Sequence, residues 1–182
     1  RNERWDSLVA NGPAWHDRFP GLKIAGVADD AFATKDEMAQ YFEDYAEMLN
    51  SPIRTGVEVL SVDPLSHAPG YSVRTTDGDW EARFVVAATG PFQKPVIPAV
   101  VEDSAGIHQI HSSSYHRPDQ LPDGGVLVVG AGSSGVQIAE ELQDSGRKVF
   151  LAVGPHDRPP RRYRNRDFVW WLGVLGKWDM AT

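Results

Sequence analysis

Gly130, Gly132 and Gly135 stand in the spacing G-x-G-x-x-G, with Ser133 and Ser134 between the last two. The chemistry open to this pattern is anion binding. Gly130 makes a tight turn, Gly132 lets the backbone approach a pyrophosphate, and Gly135 lets a helix pack closely on a strand. The helix that follows adds unpaired N–H groups and the positive end of its dipole. The pattern has this meaning only between a strand and a helix; elsewhere it is a structural βα turn. Gly130, Gly132, Ser133, Ser134 and Gly135 are therefore the candidate pyrophosphate residues.

The flanking elements satisfy that condition. Val126-Leu127-Val128-Val129 is a continuous apolar run, predicting a buried parallel strand. Val136, Ile138, Ala139 and Leu142 then follow a helical period to near Ser145. Gly146 suits the residue just past the helix, with Arg147 and Lys148 beside the negative end of its dipole. Lys148–Val153 reads as the second strand of the unit. An NAD-type site places Asp or Glu at the end of that strand to hold the ribose 2′-hydroxyl. Here Ala152, Val153 and Gly154 are uncharged and Asp157 comes late, followed by Arg158, Arg161, Arg162, Arg164 and Arg166. Guanidinium grips phosphate bidentately, so the balance favours a 2′-phosphate, hence NADP, with Arg158, Arg161 and Arg162 as candidates. The competing reading is a basic surface loop without a ligand.

A second candidate position follows another apolar run. Phe84-Val85-Val86-Ala87-Ala88 reads as the end of a strand entering a larger sheet, and Thr89-Gly90 follows directly. Ligands of open α/β sheets sit at the carboxyl ends of strands, so Thr89 and Gly90 are a ligand junction or, equally, a plain turn. His108, His111 and His116 lie near Tyr115, but no carboxylate or cysteine completes a metal set. No metal is expected there, and a single His that orients a neighbouring loop or hydrogen-bonds a cofactor is preferred. No residue stands out as a general acid or base.

The rest of the chain must build the frame. Its 182 residues suffice for one full core or parts of two domains. A net charge of −7 argues against non-specific nucleic-acid binding. No run approaches the roughly 20 apolar residues of a membrane span, and no signal-peptide core is visible. The chain has no cysteine, which leaves no disulfide framework, thiolate metal site or thiol relay in it and fits a cytoplasmic protein. It begins at Arg1 and stops after a tryptophan-rich stretch, so it reads as a piece of a longer polypeptide.

Arg4–Val9 reads as a short strand or a helix tail, with Asn11-Gly12-Pro13 and Phe19-Pro20-Gly21 as turns. Trp5, Trp15 and Phe19 are expected to pack in a core or interface. Thr34-Lys35-Asp36-Glu37 has capping-box form, opening a helix to about Leu49 that buries Met38, Tyr41, Phe42, Tyr45 and Leu49. Asn50-Ser51-Pro52 ends it. The period then changes to that of strands: Val57–Val62, Tyr71–Thr75 and Trp80–Ala88, the last two joined at Asp77-Gly78. This is a small antiparallel meander. His67 lies in its turn-rich loop and is read as solvated.

Taken together, the chain resembles the class B flavin-dependent monooxygenases, specifically flavin-containing monooxygenase-like bacterial oxidoreductases. The resemblance runs through Arg4-Trp5-Asp6-Ser7-Leu8, the helix start at Thr34, and Val85–Gly90 with Pro95 and Pro98. It continues through His111-Ser112-Ser113-Ser114-Tyr115, the Gly130 loop and Gly154–Pro160. The family fingerprint is F-x-G-x-x-x-H-x-x-x-F/Y/W. His111 and Tyr115 match it, whereas Ile107 stands where its glycine belongs. Tyr115 is closer to the N- or S-oxygenating and decarboxylating branches than to the Baeyer–Villiger branch.

The resemblance implies a partial α/β two-dinucleotide-binding, Rossmann-like flavoprotein with a small β-meander. Residues 1–105 would be the remainder of the FAD domain and 106–182 the start of the NADP domain. The family has two glycine loops, and the order of segments makes the Gly130 loop the second, for NADP. The first, which holds the ADP half of FAD, is not in this sequence. A full-length relative would let NADPH reduce FAD and pass one oxygen atom of O2, through a flavin hydroperoxide, to a small organic substrate. Thr89 and Gly90 would sit where the two cofactors meet. A flavin-dependent NAD(P)H reductase without oxygen insertion and an isolated nucleotide-binding module are the alternatives, and the fragment alone is expected to be inactive. A homo-oligomer and a complementing chain are the partner arrangements left open.

Overall fold

A computed structural model of the chain describes residues 4–90, 92, 94–100, 106–155 and 159–180. The residues fall into two compact units, one of Arg1–Tyr45 with Val96–Thr182 and the other of Ala46–Pro95.

The first unit contains the glycine loop. Strand β4 (Val126–Val129) pairs in parallel with β5 (Val149–Ala152), in register from Val126↔Val149 to Val129↔Ala152. Helix α2 (Ser133–Asp144) connects them as a βαβ crossover. It ends as expected: Gly146 takes φ 85°, and its N–H and that of Arg147 close onto the carbonyls of Gln143 and Leu142 at 2.9 and 3.2 Å. Arg147 does something more specific than meet the dipole. Its guanidinium donates to the carbonyls of Pro122 and Leu121 at 2.6 and 2.8 Å, pinning the segment that leads into β4.

One face of this small sheet meets α2. Ile138 and Leu142 pack with Trp5 and Tyr115, and Val126, Val128 and Val149 border that cluster. The other face is open: Leu127 is 61% and Val129 67% exposed. The expectation of a fully buried strand is therefore corrected. Burial on both faces needs a second covering layer, which the described residues do not supply.

Residues 4–10 form neither a regular strand nor a helix tail. They make a strap with a single bridge, Val9↔Thr34, extended by Ala10 N–H to the Ala33 carbonyl at 2.7 Å. Helix α1 (Lys35–Leu49) begins at the capping box the sequence predicts. The Thr34 N–H and hydroxyl both donate to Glu37 Oε2, at 2.8 and 2.9 Å, and Glu37 N–H donates to Thr34 Oγ1 at 3.3 Å. Tyr41 is the buried centre of a second cluster with Ala14, Ile24 and Ala33, bordered by Met38 and Tyr45. Phe42 and Leu49 are half exposed, so the buried stripe is narrower than predicted. Trp5 is buried as expected, whereas Phe19 is 47% exposed.

Beyond β5, Arg162-Tyr163 (β6) and Arg166-Asp167 (β7) form a hairpin leading into α3 (Phe168–Val174), none of which the sequence reading foresaw. The two-residue turn places Arg164 at φ 48° and Asn165 at φ 58°. Both residues left-handed is the twist-compatible solution for a tight hairpin, and Asn tolerates it.

The second unit is the antiparallel meander. Its strands are β1 (Val59–Pro64), β2 (Tyr71–Thr75) and β3 (Gly78–Ala82), in the order β1-β2-β3. The β2–β3 hairpin turns at Thr76-Asp77, with Gly78 already paired to Thr75 at φ 106°. Arg54 pairs with Asp77 at 2.7 Å and lies 4.4 Å over the Trp80 ring. The third strand stops at Ala82. Phe84–Ala88, predicted to continue it, is not a strand, and Phe84 and Val86 are 75% and 87% exposed. A β-prone run becomes a strand only with a hydrogen-bonding neighbour, and no described strand pairs with it.

Candidate functional site

The glycine loop has the geometry its spacing implies. Gly130 turns the chain at φ 100°, and its N–H donates to the Ala152 carbonyl at 3.0 Å, locking the end of β4 to the end of β5. A Cβ on Gly135 would lie 2.0 Å from the Gly130 carbonyl oxygen, so only glycine allows this helix–strand approach. Gly132 caps α2 at φ −70° and ψ −179° and, having no side chain, makes no cap hydrogen bond of its own. Among the described residues a Cβ there would meet nothing within 4 Å, so the side of Gly132 that a side chain would take is open. The first backbone bond of α2 runs from Val136 N–H to the Gly132 carbonyl at 3.0 Å. The N–H groups of Ser133, Ser134 and Gly135 lie ahead of it, at the positive end of the helix. Ser133 is exposed and Ser134 half-buried. An open approach, a helix start without a side-chain cap and forward amides together fit a phosphate group.

What fixes α2 in place was not visible in the sequence. The Gln137 amide brackets Val9, donating to its carbonyl and accepting from its N–H, both at 3.1 Å. One turn on, Glu141 accepts the Tyr115 hydroxyl at 2.6 Å and the Ser7 N–H at 3.3 Å. Tyr115 is 2% exposed, and burial first, then the bond to Glu141 and its negative charge, push its phenol pKa well above the ordinary value. Gln137 and Glu141 lie 128 and 134 residues from the strap residues Val9 and Ser7 that they hold, and Glu141 lies 26 from Tyr115. The only sequence signal was two polar residues four apart on an otherwise amphipathic helix.

The histidines are dispersed in role. The His111 ring Nδ1 lies 2.9 Å from the Ser113 hydroxyl and accepts the Ser113 N–H at 3.2 Å, holding its own turn just ahead of Tyr115. Among the described residues, no group of three His, Cys, Asp or Glu is arranged to hold a metal ion.

The candidate arginines differ in their surroundings. Arg161 Nε donates to Asp167 Oδ2 at 2.8 Å, and its guanidinium lies 4.5 Å over the Phe32 ring. Asp167, 9% exposed, also caps α3 by accepting the Val169 N–H at 2.8 Å. An Asp directly before the apolar run Phe168–Leu172 is the signal that would have found this cap. Arg162 is exposed on β6. Arg158 lies outside the described residues, as does Asp157. Thr89 and Gly90 belong to the other compact unit, where Gly90 takes φ 74°.

Known proteins match this chain in the same terms. The family model described as pyridine nucleotide-disulphide oxidoreductase matches residues 19–172. The chain belongs to that family. An oxidoreductase of Geobacillus kaustophilus named CzcO-like is 43% identical over 175 residues, which cover 95% of this chain and 49% of the relative. The chain thus spans about half the length of the curated relatives it first matches. Relatives of the family chain also include proteins named flavin-containing monooxygenases.

Solved structures give the same fold. A mutant flavin monooxygenase from Stenotrophomonas maltophilia superposes with a TM-score of 0.78 at 24% identity, over 96% of this chain and 51% of that one. A cyclohexanone monooxygenase from Rhodococcus, solved with NADP+, gives 0.58 at 22%, over 97% of this chain and 36% of that one. The Rossmann-like α/β architecture expected from the sequence is the fold these structures share. No described helix is long and apolar enough to cross a membrane.

Proposed function

We propose that the Gly130–Gly135 loop holds the pyrophosphate of NADPH, within an FAD- and NADPH-dependent monooxygenase acting on a small organic substrate with O2. The observation that carries this reading is the paired geometry of Gly132 and Gly135. One glycine is enforced by the fold, at 2.0 Å from a backbone oxygen, while the other faces open space at an uncapped helix start. A purely structural turn needs only the first.

The work of this chain's residues is binding and orientation. The amides of Ser133, Ser134 and Gly135 would take the pyrophosphate oxygens, with the two serine hydroxyls at hand. Arg158 and Arg162 are the residues proposed for the 2′-phosphate. Arg161 has a carboxylate partner and stands as the third candidate. Thr89 and Gly90 are proposed to lie where flavin and nicotinamide meet. A bound flavin supplies the electron and oxygen chemistry, which no side chain named here provides. We assign residues 1–105 to an FAD domain and 106–182 to an NADP domain. The NADP+ held by the Rhodococcus monooxygenase supports the choice of nucleotide.

Titration of the purified chain with NADPH and NADH tests the reading. Saturable binding of NADPH in preference to NADH is expected. Binding of neither overturns the nucleotide site, and a preference for NADH overturns the role of the arginines. On a polypeptide carrying both glycine loops, oxygenated product coupled to NADPH consumption is expected. Nucleotide oxidation that yields only peroxide would instead make it a reductase.

A further inference from the structure

Gln137 occupies an unusual place for a polar residue on a nucleotide-site helix. It lies on the face of α2 that meets the strap of residues 4–10, two residues into the helix beyond Gly135. Its amide oxygen takes the Val9 N–H and its amide nitrogen gives to the Val9 carbonyl, both at 3.1 Å. That is the bonding pattern of a neighbouring strand, made by a side chain. The strap is held on its far side by the Val9↔Thr34 bridge and by Lys35 N–H to the Leu8 carbonyl at 3.0 Å. Asp6 N–H adds a bond to the His116 carbonyl at 2.8 Å. Glu141 repeats the contact one turn later through the Ser7 N–H. Helix α2 is thus fastened by two side chains to a strap that is itself fastened to the start of α1.

We propose that Gln137 is a positioning residue: by pairing with both backbone groups of Val9 it fixes the direction of α2, and so where the Ser133–Gly135 amides are presented. The proposal rests on the reading of the glycine loop as a nucleotide site. The chemistry at position 137 must be that of a neutral amide, because one atom donates while the other accepts. A carboxylate in its place would accept from the Val9 N–H but face the Val9 carbonyl with negative charge. A protonated carboxyl would restore both bonds. Methionine keeps the length and removes both.

The test compares the unmodified 182-residue chain with Gln137→Met and Gln137→Glu at pH 5 and pH 8. Two quantities are read: NADPH affinity, and amide-exchange protection factors at Val9 and Val136, the latter being the first bonded amide of α2. Gln137→Met should lose roughly tenfold in NADPH affinity, with protection lowered at both amides at both pH values. Gln137→Glu should resemble Gln137→Met at pH 8 and return toward the unmodified chain at pH 5. A merely structural role would restore Val9 protection without moving NADPH affinity or Val136 protection. Loss of Val9 protection with NADPH affinity and Val136 protection unchanged would overturn the proposal. If the unmodified chain fails to bind NADPH, the nucleotide reading fails, and the proposal is then decided by Val136 protection alone. A Val136 amide that exchanges equally slowly in all three chains overturns it.

Discussion

The Gly135 α-carbon and the Gly130 carbonyl are so close that a Cβ built on Gly135 would lie 2.0 Å from that oxygen. Carbon and oxygen do not approach nearer than about 3 Å without covalent contact, so α2 can lie against the end of β4 only with glycine here. Gly135→Ala should cost about 2 kcal/mol or more in denaturant unfolding, because backbone rather than a flexible side chain must yield. A Cβ on Gly132 meets no described atom within 4 Å, and φ −70° there is open to any residue, so the backbone tolerates Gly132→Val. Its stability cost should stay below about 1 kcal/mol, while NADPH binding is abolished. An unfolded Gly132→Val chain, or one that still binds, would make the loop a structural turn.

Two neighbouring arginines should separate in the same way. Arg161 neutralises a carboxylate whose side chain is only 7% exposed and which also caps α3. Removing it with Arg161→Ala leaves Asp167 short of a partner, and a destabilisation of roughly 1–3 kcal/mol is expected. Arg162→Ala, on the exposed face of the hairpin, should leave thermal unfolding unchanged and reduce the preference for NADPH over NADH. The paired measurement is a melting curve and a two-nucleotide titration for each variant. Identical behaviour of the two variants in both would overturn the distinction.

The sequence carried the local elements well where the elements are locally determined. The four-residue run Val126–Val129 is strand β4, the capping box at Thr34 starts α1, and Gly146 closes α2, because propensity, caps and turns act over a few residues. Phe84–Ala88 failed for the opposite reason. Its composition is that of a strand, but a strand is a relation between two segments, and composition does not supply the second. The clamp of Gln137 on Val9, 128 residues apart, was unreadable on the same ground. The hairpin at Arg164-Asn165 and the cap at Asp167 were legible in principle.

Tyr115 should titrate late. Its hydroxyl is buried and donates to Glu141 at 2.6 Å, so ionisation would bury a second negative charge beside the first. The folded pKa is raised above the unfolded value of about 10, so the stabilisation is complete below pH 10 and is lost as pH rises toward the folded value. Absorbance titration of the unmodified chain against Tyr115→Phe should show one phenol missing from the late-titrating class. Tyr115→Phe should also cost about 1–2 kcal/mol, since Glu141 keeps the Ser7 N–H but loses its shortest bond. Loss of one phenol from those titrating near pH 10 would contradict this placement.

The start of α1 gives the opposite pH sign. Glu37 accepts the Thr34 N–H and hydroxyl, and these two bonds, the backbone one first, hold its carboxyl below the ordinary value. A depressed folded pKa means the stabilisation is present above the unfolded value of about 4.3 and is lost as pH falls through the folded one. Thr34→Ala removes the hydroxyl but keeps the backbone donor, so the loss should be about 1 kcal/mol at neutral pH with part of the acid dependence retained. Glu37→Gln keeps an acceptor for both bonds without a titrating group, and its own share of the acid dependence should vanish. Unfolding free energies measured from pH 7 down to pH 3 for the three chains decide the matter. If Glu37→Gln loses stability with acid as steeply as the unmodified chain, the capping box contributes nothing to the acid dependence.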